Sequence, residues 1–134
     1  MADPTMLALL PCLGVVFKRG AWVLVGAGYS ASLEGRARRT MRNACFYVAL
    51  ANAAGLKGRL TLEMRKAVKV RNEPVGSFIM GRRAEQPMPP ASGAGVAETW
   101  FDVPYLVLEK PGVWEILLSF NGRKIGSVPF YLTP

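Results

Sequence analysis

The sequence contains no histidine, only two cysteines and only nine acidic residues among its 134. The absence of histidine excludes Ser-His-Asp and Cys-His catalytic arrangements, and it removes the commonest metal ligand and general base. Two cysteines without histidine do not supply the four nitrogen or sulfur ligands of a structural zinc site. We therefore expect no metal site and no cofactor.

Paired carboxylates and phosphate-binding loops are also lacking. The carboxylates are mostly solitary, in turns or on alternating polar faces, whereas a glycoside hydrolase needs two at one site. The Gly-rich stretch GAGYSAS at residues 26–32 lacks the lysine and the following helix of a phosphate-binding loop. These absences predict a protein that has no catalytic residues, is not an enzyme and takes no small-molecule substrate.

The longest apolar run near the start is too short for a membrane span. It covers residues 6–17, follows Asp3 rather than a basic segment, and is interrupted by Pro11. We interpret it as a buried strand. The protein is accordingly expected in the cytoplasm, or in a virion assembled there, with no membrane contact.

Cys12 and Cys45 both lie in apolar, strand-like surroundings. The two thiols either stay free and buried, or form a bridge if their strands pack face to face. Free thiols in a reducing compartment are favoured, because a secretory signal is missing and a core this apolar needs no covalent staple.

Turn-forming residues are abundant, and they argue against helices. The chain has 14 glycines and 10 prolines, and few stretches of ten residues contain neither. At 51% hydrophobic residues, the chain is large enough for one core, so we predict a single domain over residues 1–134. Strands separated by turns are the natural interpretation.

The clearest local pattern is a β-hairpin at the carboxyl end. The apolar stretches GVWEILLSF and RKIGSVPFYL flank Asn121-Gly122, a dipeptide that favours the two positive φ angles of a type I′ turn. In the first arm Trp114, Ile116 and Leu118 fall on one face. Since a lone hairpin is unstable in water, other strands must cover that face.

Further strands are predicted from apolar runs and from alternation with a period of two. They cover residues 6–17, 21–32, 44–51, 59–70, 75–80 and 97–108. A helix is the alternative for residues 59–70, whose side chains tolerate helices well, but their alternation favours a strand. Residues 33–43 are predicted as a basic loop, and residues 82–97 as a Pro/Gly-rich loop.

A series of about seven to eight strands separated by turns predicts an all-β fold, an immunoglobulin-like antiparallel β-sandwich. The predicted core residues are Trp22, Phe46, Val48, Leu60, Leu62, Trp100, Leu106, Trp114, Ile116, Leu118 and Phe130.

Two stretches resemble known β-sandwich proteins. The closing segment, from Pro111-Gly112-Val113-Trp114-Glu115-Ile116 through Asn121-Gly122 to Pro129-Phe130, resembles the carboxyl end of immunoglobulin-like sandwiches. The order Gly-x-Trp-x-Leu-x-Gly over residues 20–26 resembles a bacterial family of short, stand-alone β-sandwich proteins of unknown function. The resemblance covers residues 10–132, apart from the Arg-rich segment 36–42 and the Pro-rich insert 86–95, and it implies no catalytic residues.

Positive charge is concentrated in the middle of the chain. Residues 18–83 carry 14 basic and three acidic side chains, whereas residues 84–134 carry three basic and five acidic ones, within a net charge of +8. We predict that the basic residues of this middle region form one continuous face for an anionic partner. That face comprises Arg36, Arg38, Arg39, Arg42, Arg59, Arg65, Lys66 and Lys69.

A face of this kind meets either an acidic protein or the phosphates of a nucleic acid. In the Pro-rich loop, Met88, Pro89 and Pro90 are predicted to contact a protein. We therefore predict a non-enzymatic interaction or structural protein that has protein partners or self-assembles, as a small subunit or accessory component of a larger assembly such as a bacteriophage particle. The alternative is a nucleic-acid-associated accessory protein that uses the same arginines.

Overall fold

The structure, a computed structural model, describes residues 3–12, 14–66 and 84–134. In these residues the chain forms ten β-strands and no helix, so the prediction of an all-β protein is confirmed. The strands are β1 (Thr5–Cys12), β2 (Gly14–Lys18), β3 (Ala21–Val25), β4 (Ser30–Ser32), β5 (Arg38–Ala51), β6 (Arg59–Lys66), β7 (Ala84–Pro87), β8 (Ala97–Glu109), β9 (Gly112–Phe120) and β10 (Arg123–Thr133).

The strands form three sheets. One contains β1-β5-β8, the second β4-β10-β9-β6-β7, and the third the isolated pair β2-β3. All pairings are antiparallel except that of β4 with β10, which is parallel. The prediction of a purely antiparallel arrangement is therefore wrong at this one edge, because β4 and β10 are far apart in the chain and no hairpin joins them.

The hydrophobic core lies between the inner faces of the two larger sheets. Phe46 and Val48 of β5 belong to this core, and so do Leu62 of β6 and Leu118 of β9. Leu62 and Leu118 are register partners within their own sheet. Each such fully buried side chain stabilises the fold by about 2 kcal/mol. Of the predicted core residues, the structure confirms Phe46, Val48, Leu60, Leu62, Leu106, Trp114, Ile116, Leu118 and Phe130.

The predicted closing hairpin is present as β9 and β10. Asn121 and Gly122 have φ angles of 50° and 83°, as the predicted type I′ turn requires. The Asn121 side chain also reaches across to β6, where its Oδ1 accepts a hydrogen bond of 3.0 Å from the backbone N–H of Arg59. Gly58 precedes that contact, and a Cβ atom there would collide with the Asn121 amide, so this turn requires glycine at both Gly58 and Gly122.

Two predicted strands are each divided in two. β1 ends at Cys12 and β2 begins at Gly14, while β3 ends at Val25 and β4 begins only at Ser30. The turn between β2 and β3 uses positive φ angles at Arg19 and Gly20, and the two strands pair as an antiparallel hairpin. This division explains why the predicted number of strands, seven to eight, is lower than the ten observed. A continuous apolar run in the sequence does not reveal where the chain leaves one sheet and enters another.

Both predicted loops are shorter than expected. The basic loop at 33–43 ends where β5 begins at Arg38, so Arg38, Arg39 and Arg42 lie on a strand. Long-range pairing with β8 overrides the irregular local pattern. In the Pro/Gly-rich loop at 82–97, residues 84–87 form β7, whereas residues 88–96 lack regular structure.

The prediction that Trp100 is a core residue is wrong. Phe101 and Val103 of β8 are buried in the core, and so are Leu106 and Leu108 further along the same strand. The core-facing positions therefore change from odd to even numbers near the proline at position 104, which has no N–H to donate, while the register with β5 stays the same on both sides of it. Trp100 consequently lies on the outer face of the sheet, half-buried.

The outer side of β6 is less exposed than its alternation suggests. Thr61 and Glu63 alternate with the buried Leu60 and Leu62, yet both are only 8% exposed. Alternation assigns side chains to opposite faces of a sheet but does not tell whether a face is covered. β6 itself is a strand over Arg59–Lys66, as predicted.

Some predictions fall outside the described residues. These are the continuation of β6 through residues 67–70, the strand at residues 75–80, and the Trp22 side chain.

Candidate interaction surfaces

The arginine cluster, defined as Arg36, Arg38, Arg39 and Arg42, lies at the start of β5 and in the loop before it. Its charges meet carboxylates of the same chain. Glu34 lies 4.0 Å from the Arg36 guanidinium and 3.6 Å from that of Arg39. Arg39 is half-buried and donates a hydrogen bond of 2.8 Å to the backbone carbonyl of Ser32.

The second carboxylate of this region is Glu109, the last residue of β8. It lies directly across the sheet from Arg38, and their side chains form an ion pair of 3.2 Å. Arg42 also has an interaction within the folded chain. The local positive charge of the arginine cluster is thus reduced by neighbouring acids.

Two further residues predicted for the basic face, Arg59 and Arg65, lie on β6. Arg65 pairs with Glu115 at 3.4 Å, but Arg59 lies near the opposite end of the molecule, beside Glu85 at 3.7 Å. Glu109 lies just before the start of β9, and Arg59 lies beside the turn that follows the end of β9. A nine-residue strand is about 30 Å long, so about this distance separates Glu109 from Arg59. Arg65 lies between these two positions on β6, and residues 67–83 are outside the described residues, so the single continuous basic face stays a prediction.

The other two residues predicted for the basic face have little structural description. Lys66 ends β6, but its side chain is not among those described, and Lys69 lies outside the described residues.

An acidic strip lies on the outer face of β8 and was not predicted. It consists of Glu98, Trp100 and Asp102, which share one face of the strand, and of Tyr47, the register partner of Trp100 on β5. Glu98 and Asp102 are exposed, and four residues of strand put them about 13 Å apart. In the part of the chain that the structure describes, neither carboxylate has an ion-pair partner.

Aromatic groups and a thiol hold the carboxylates of the acidic strip in place. The Tyr47 hydroxyl donates to Glu98, and the Trp100 indole Nε1–H donates to Asp102 over 3.3 Å. Burial and the Glu98 carboxylate raise the pKa of the Tyr47 phenol, which keeps its proton on the oxygen. The strip therefore combines two fixed negative charges with two aromatic rings, a combination that suits a cationic group.

The Pro-rich loop packs on its own chain. The Met88 backbone N–H donates to the Gly58 carbonyl over 2.8 Å, and the Met88 side chain packs against the core. Pro89 is half-buried and Pro90 is exposed. The predicted protein contact through these residues stays a prediction, with Pro90 the most accessible of the three.

Two exposed apolar side chains mark a further surface. Val113 of β9 and Tyr131 of β10 are register partners, and 40% and 49% of their surfaces are exposed. Tyr29 lies beside them, because its carbonyl accepts a hydrogen bond of 2.7 Å from the Tyr131 N–H. The sequence signalled these residues only as parts of strands.

A small cavity lies between the β3–β4 connection and strands β1 and β5. Its volume is about 210 Å³, and its wall includes Cys12, Cys45, Met41 and Phe130 together with the glycines of Gly26–Gly28. Both cysteines are buried and no disulfide joins them, as the sequence favoured.

Neither metal-site nor membrane-span geometry occurs in the described ranges. No three histidine, cysteine or acidic side chains there come together as a metal site would require. Helices long and apolar enough to cross a bilayer are likewise missing from those ranges.

Comparison with known proteins yields no relatives. No protein-family model matches this chain, and no curated protein matches it significantly.

Proposed function

We propose that this protein is a non-enzymatic structural subunit that assembles with other copies of itself, as a component of a larger assembly such as a bacteriophage particle. One observation carries the proposal: in a chain of net charge +8, two exposed carboxylates of the acidic strip lack a cationic partner in the described structure. Charges that the subunit leaves uncompensated are available to a neighbour.

The chain itself offers a matching cation. The β2–β3 turn presents Lys18 and Arg19, both exposed and both without a carboxylate partner among the described residues. We name these two residues the hairpin tip. β2 and β3 pair only with each other in the described structure, so the tip stands at the end of a two-stranded sheet.

Docking of the hairpin tip on the acidic strip of a second copy is the proposed contact. An arginine above Trp100 gains a cation–π interaction, while Glu98 and Asp102 flank its charge. Because the tip and the strip are different surfaces, the contact is head-to-tail and produces a ring or a filament. Assemblies built from many small copies use such contacts.

The fold proposed for the subunit is an immunoglobulin-like sandwich. Two larger sheets with a shared core and the Gly112–Thr133 hairpin support it, while the parallel β4–β10 edge is a departure from the common pattern.

Binding of nucleic acid through the arginine cluster is the second candidate function, favoured by the net charge alone. The phosphates of a nucleic acid would compete with the carboxylates of Glu34 and Glu109, which form ion pairs with three of the four arginines in the cluster. Exposed ion pairs are weak, so phosphates are able to displace them.

Light scattering of the purified full chain separates the two functions. We expect a multimer whose mass is unchanged by nuclease, and a monomer for the double variant Glu98→Gln/Asp102→Gln. The control Glu85→Gln/Glu109→Gln removes the same charge from carboxylates that are paired in the fold, and it should remain multimeric. A mass that nuclease reduces to that of a monomer would instead favour nucleic-acid binding, and equal behaviour of both double variants would reject the acidic strip as the contact.

A further inference from the structure

Cys12 and Cys45 lie directly opposite each other on neighbouring strands. They are register partners in the antiparallel pair β1–β5, and both are buried, with 5% and 6% of their surfaces exposed. Opposite residues in antiparallel strands have Cα atoms about 4.5 to 5.5 Å apart, which falls within the range that a disulfide spans. The two thiols are not joined by a disulfide in this structure.

Asp102 controls the thiol of Cys45. The Cys45 Sγ–H donates to Asp102 Oδ1 over 3.2 Å, from the adjacent strand β8. Burial first, and then the Asp102 carboxylate, raise the pKa of Cys45 to about 12, with a smaller contribution from Cys12 beside it. Asp102 and burial therefore hold Cys45 as a thiol, which leaves the first attack on an oxidant to Cys12 in the reaction proposed below.

A route for a small reagent exists. The cavity of about 210 Å³ is lined by both sulfur-bearing residues, and part of its wall is the glycine-containing connection Gly26–Gly28. Apart from the cysteines, the lining is mostly apolar side chains and backbone, so the cavity suits a compact reagent better than a protein loop.

We propose that Cys12 and Cys45 form an oxidation site that closes to a disulfide when the protein meets a low-molecular-weight disulfide. The Cys12 thiolate attacks one sulfur of that disulfide, forms a mixed disulfide and releases the first small thiolate. Cys45 then loses its proton to solvent and attacks the Cys12 sulfur, expelling the second small thiolate. Two protein thiols are oxidised by two electrons, and one small disulfide is reduced to two thiols.

The bridge fastens β1 to the middle strand of its sheet. It closes a loop that contains β2, β3 and β4, and so it restricts the unfolded chain and raises resistance to denaturation. This inference does not depend on the proposed assembly, since both cysteines belong to one chain.

Intact-mass measurement of the folded full chain treated with oxidised glutathione tests the proposal. We expect the wild type to lose two hydrogen atoms, to regain them with dithiothreitol, and to unfold at higher urea concentration when oxidised. Cys45→Ser should stop at a stable glutathione adduct on Cys12. Failure of the folded wild type to form the bridge, under conditions in which the urea-unfolded chain forms it, would overturn the proposal.

Asp102→Asn distinguishes a controlled pair from two cysteines that merely lie close together. Removing the carboxylate charge should speed closure of the bridge several-fold, because the Cys45 thiolate forms more readily. Glu85→Gln, which removes the same charge from a carboxylate that pairs with Arg59 and lies outside the acidic strip, should leave the rate unchanged. Equal rates in wild type and Asp102→Asn would reject the controlling role of Asp102.

Discussion

The arginine cluster and the acidic strip carry opposite charges, yet they differ most in what surrounds those charges. Arg36, Arg38 and Arg39 each have a carboxylate within 4.0 Å. Among the described residues, Glu98 and Asp102 accept hydrogen bonds from uncharged donors only, namely an aromatic hydroxyl, an indole and a thiol. The comparison teaches that net charge counts residues, whereas the charge offered to a partner depends on which residues the fold has already paired.

The largest expected effect comes from exchanging the two charges of the proposed contact. Lys18→Glu/Arg19→Glu and Glu98→Lys/Asp102→Lys should each abolish assembly, because like charges across an interface cost several kcal/mol, at least about 100-fold in affinity. Mixing the two double variants restores complementary charges and should restore association. Light scattering of each variant alone and of the mixture gives the answer, and a mixture that stays monomeric would contradict the head-to-tail contact.

A moderate effect is expected when the arginine cluster is made to resemble the acidic strip, with its charges unpaired. Glu34→Gln removes the carboxylate shared by Arg36 and Arg39, so elution from a column of single-stranded DNA should require more salt, with a salt slope steeper by about one to two phosphate contacts. The matched control is Glu85→Gln, which makes the same charge change but frees only Arg59. An equal shift in both variants would mean that net charge alone sets retention.

The smallest effect is expected for stability. Arg38 and Glu109 pair at 3.2 Å, but 67% and 38% of their side-chain surfaces are exposed, so a double-mutant cycle to alanine should give a coupling free energy below about 1 kcal/mol. Urea unfolding of the two single variants, the double variant and the wild type supplies the cycle. A coupling free energy of several kcal/mol would show that the Arg38–Glu109 ion pair stabilises the fold and does more than neutralise the charge of Arg38.

Much of the fold follows from local patterns in the sequence. The Asn121-Gly122 turn, the buried run at residues 44–51 and the alternation at the start of β6 each produced a strand or turn where it was predicted. These features depend on the φ preferences of one or two residues or on a period of two, and both act over short distances.

The candidate site was predictable only in part. The arginines were visible as a cluster, but their carboxylate partners were not, since Glu109 reaches Arg38 only through pairing of β5 with β8. Trp100 was assigned to the core, whereas Phe101 and Val103 are the residues of this part of β8 that enter it. The acidic strip left no sequence signal beyond single acids on alternate positions.

By itself the sequence determined the class of structure and the absence of histidine-based chemistry, because turn preferences, alternation and the lack of a residue type are local properties. Tertiary structure alone decided which charges are paired, which face of β8 carries Trp100, and that Cys12 lies opposite Cys45. The reason is physical: ion pairing and register depend on distances between strands far apart in the chain, and those distances exist only after the sheets have formed.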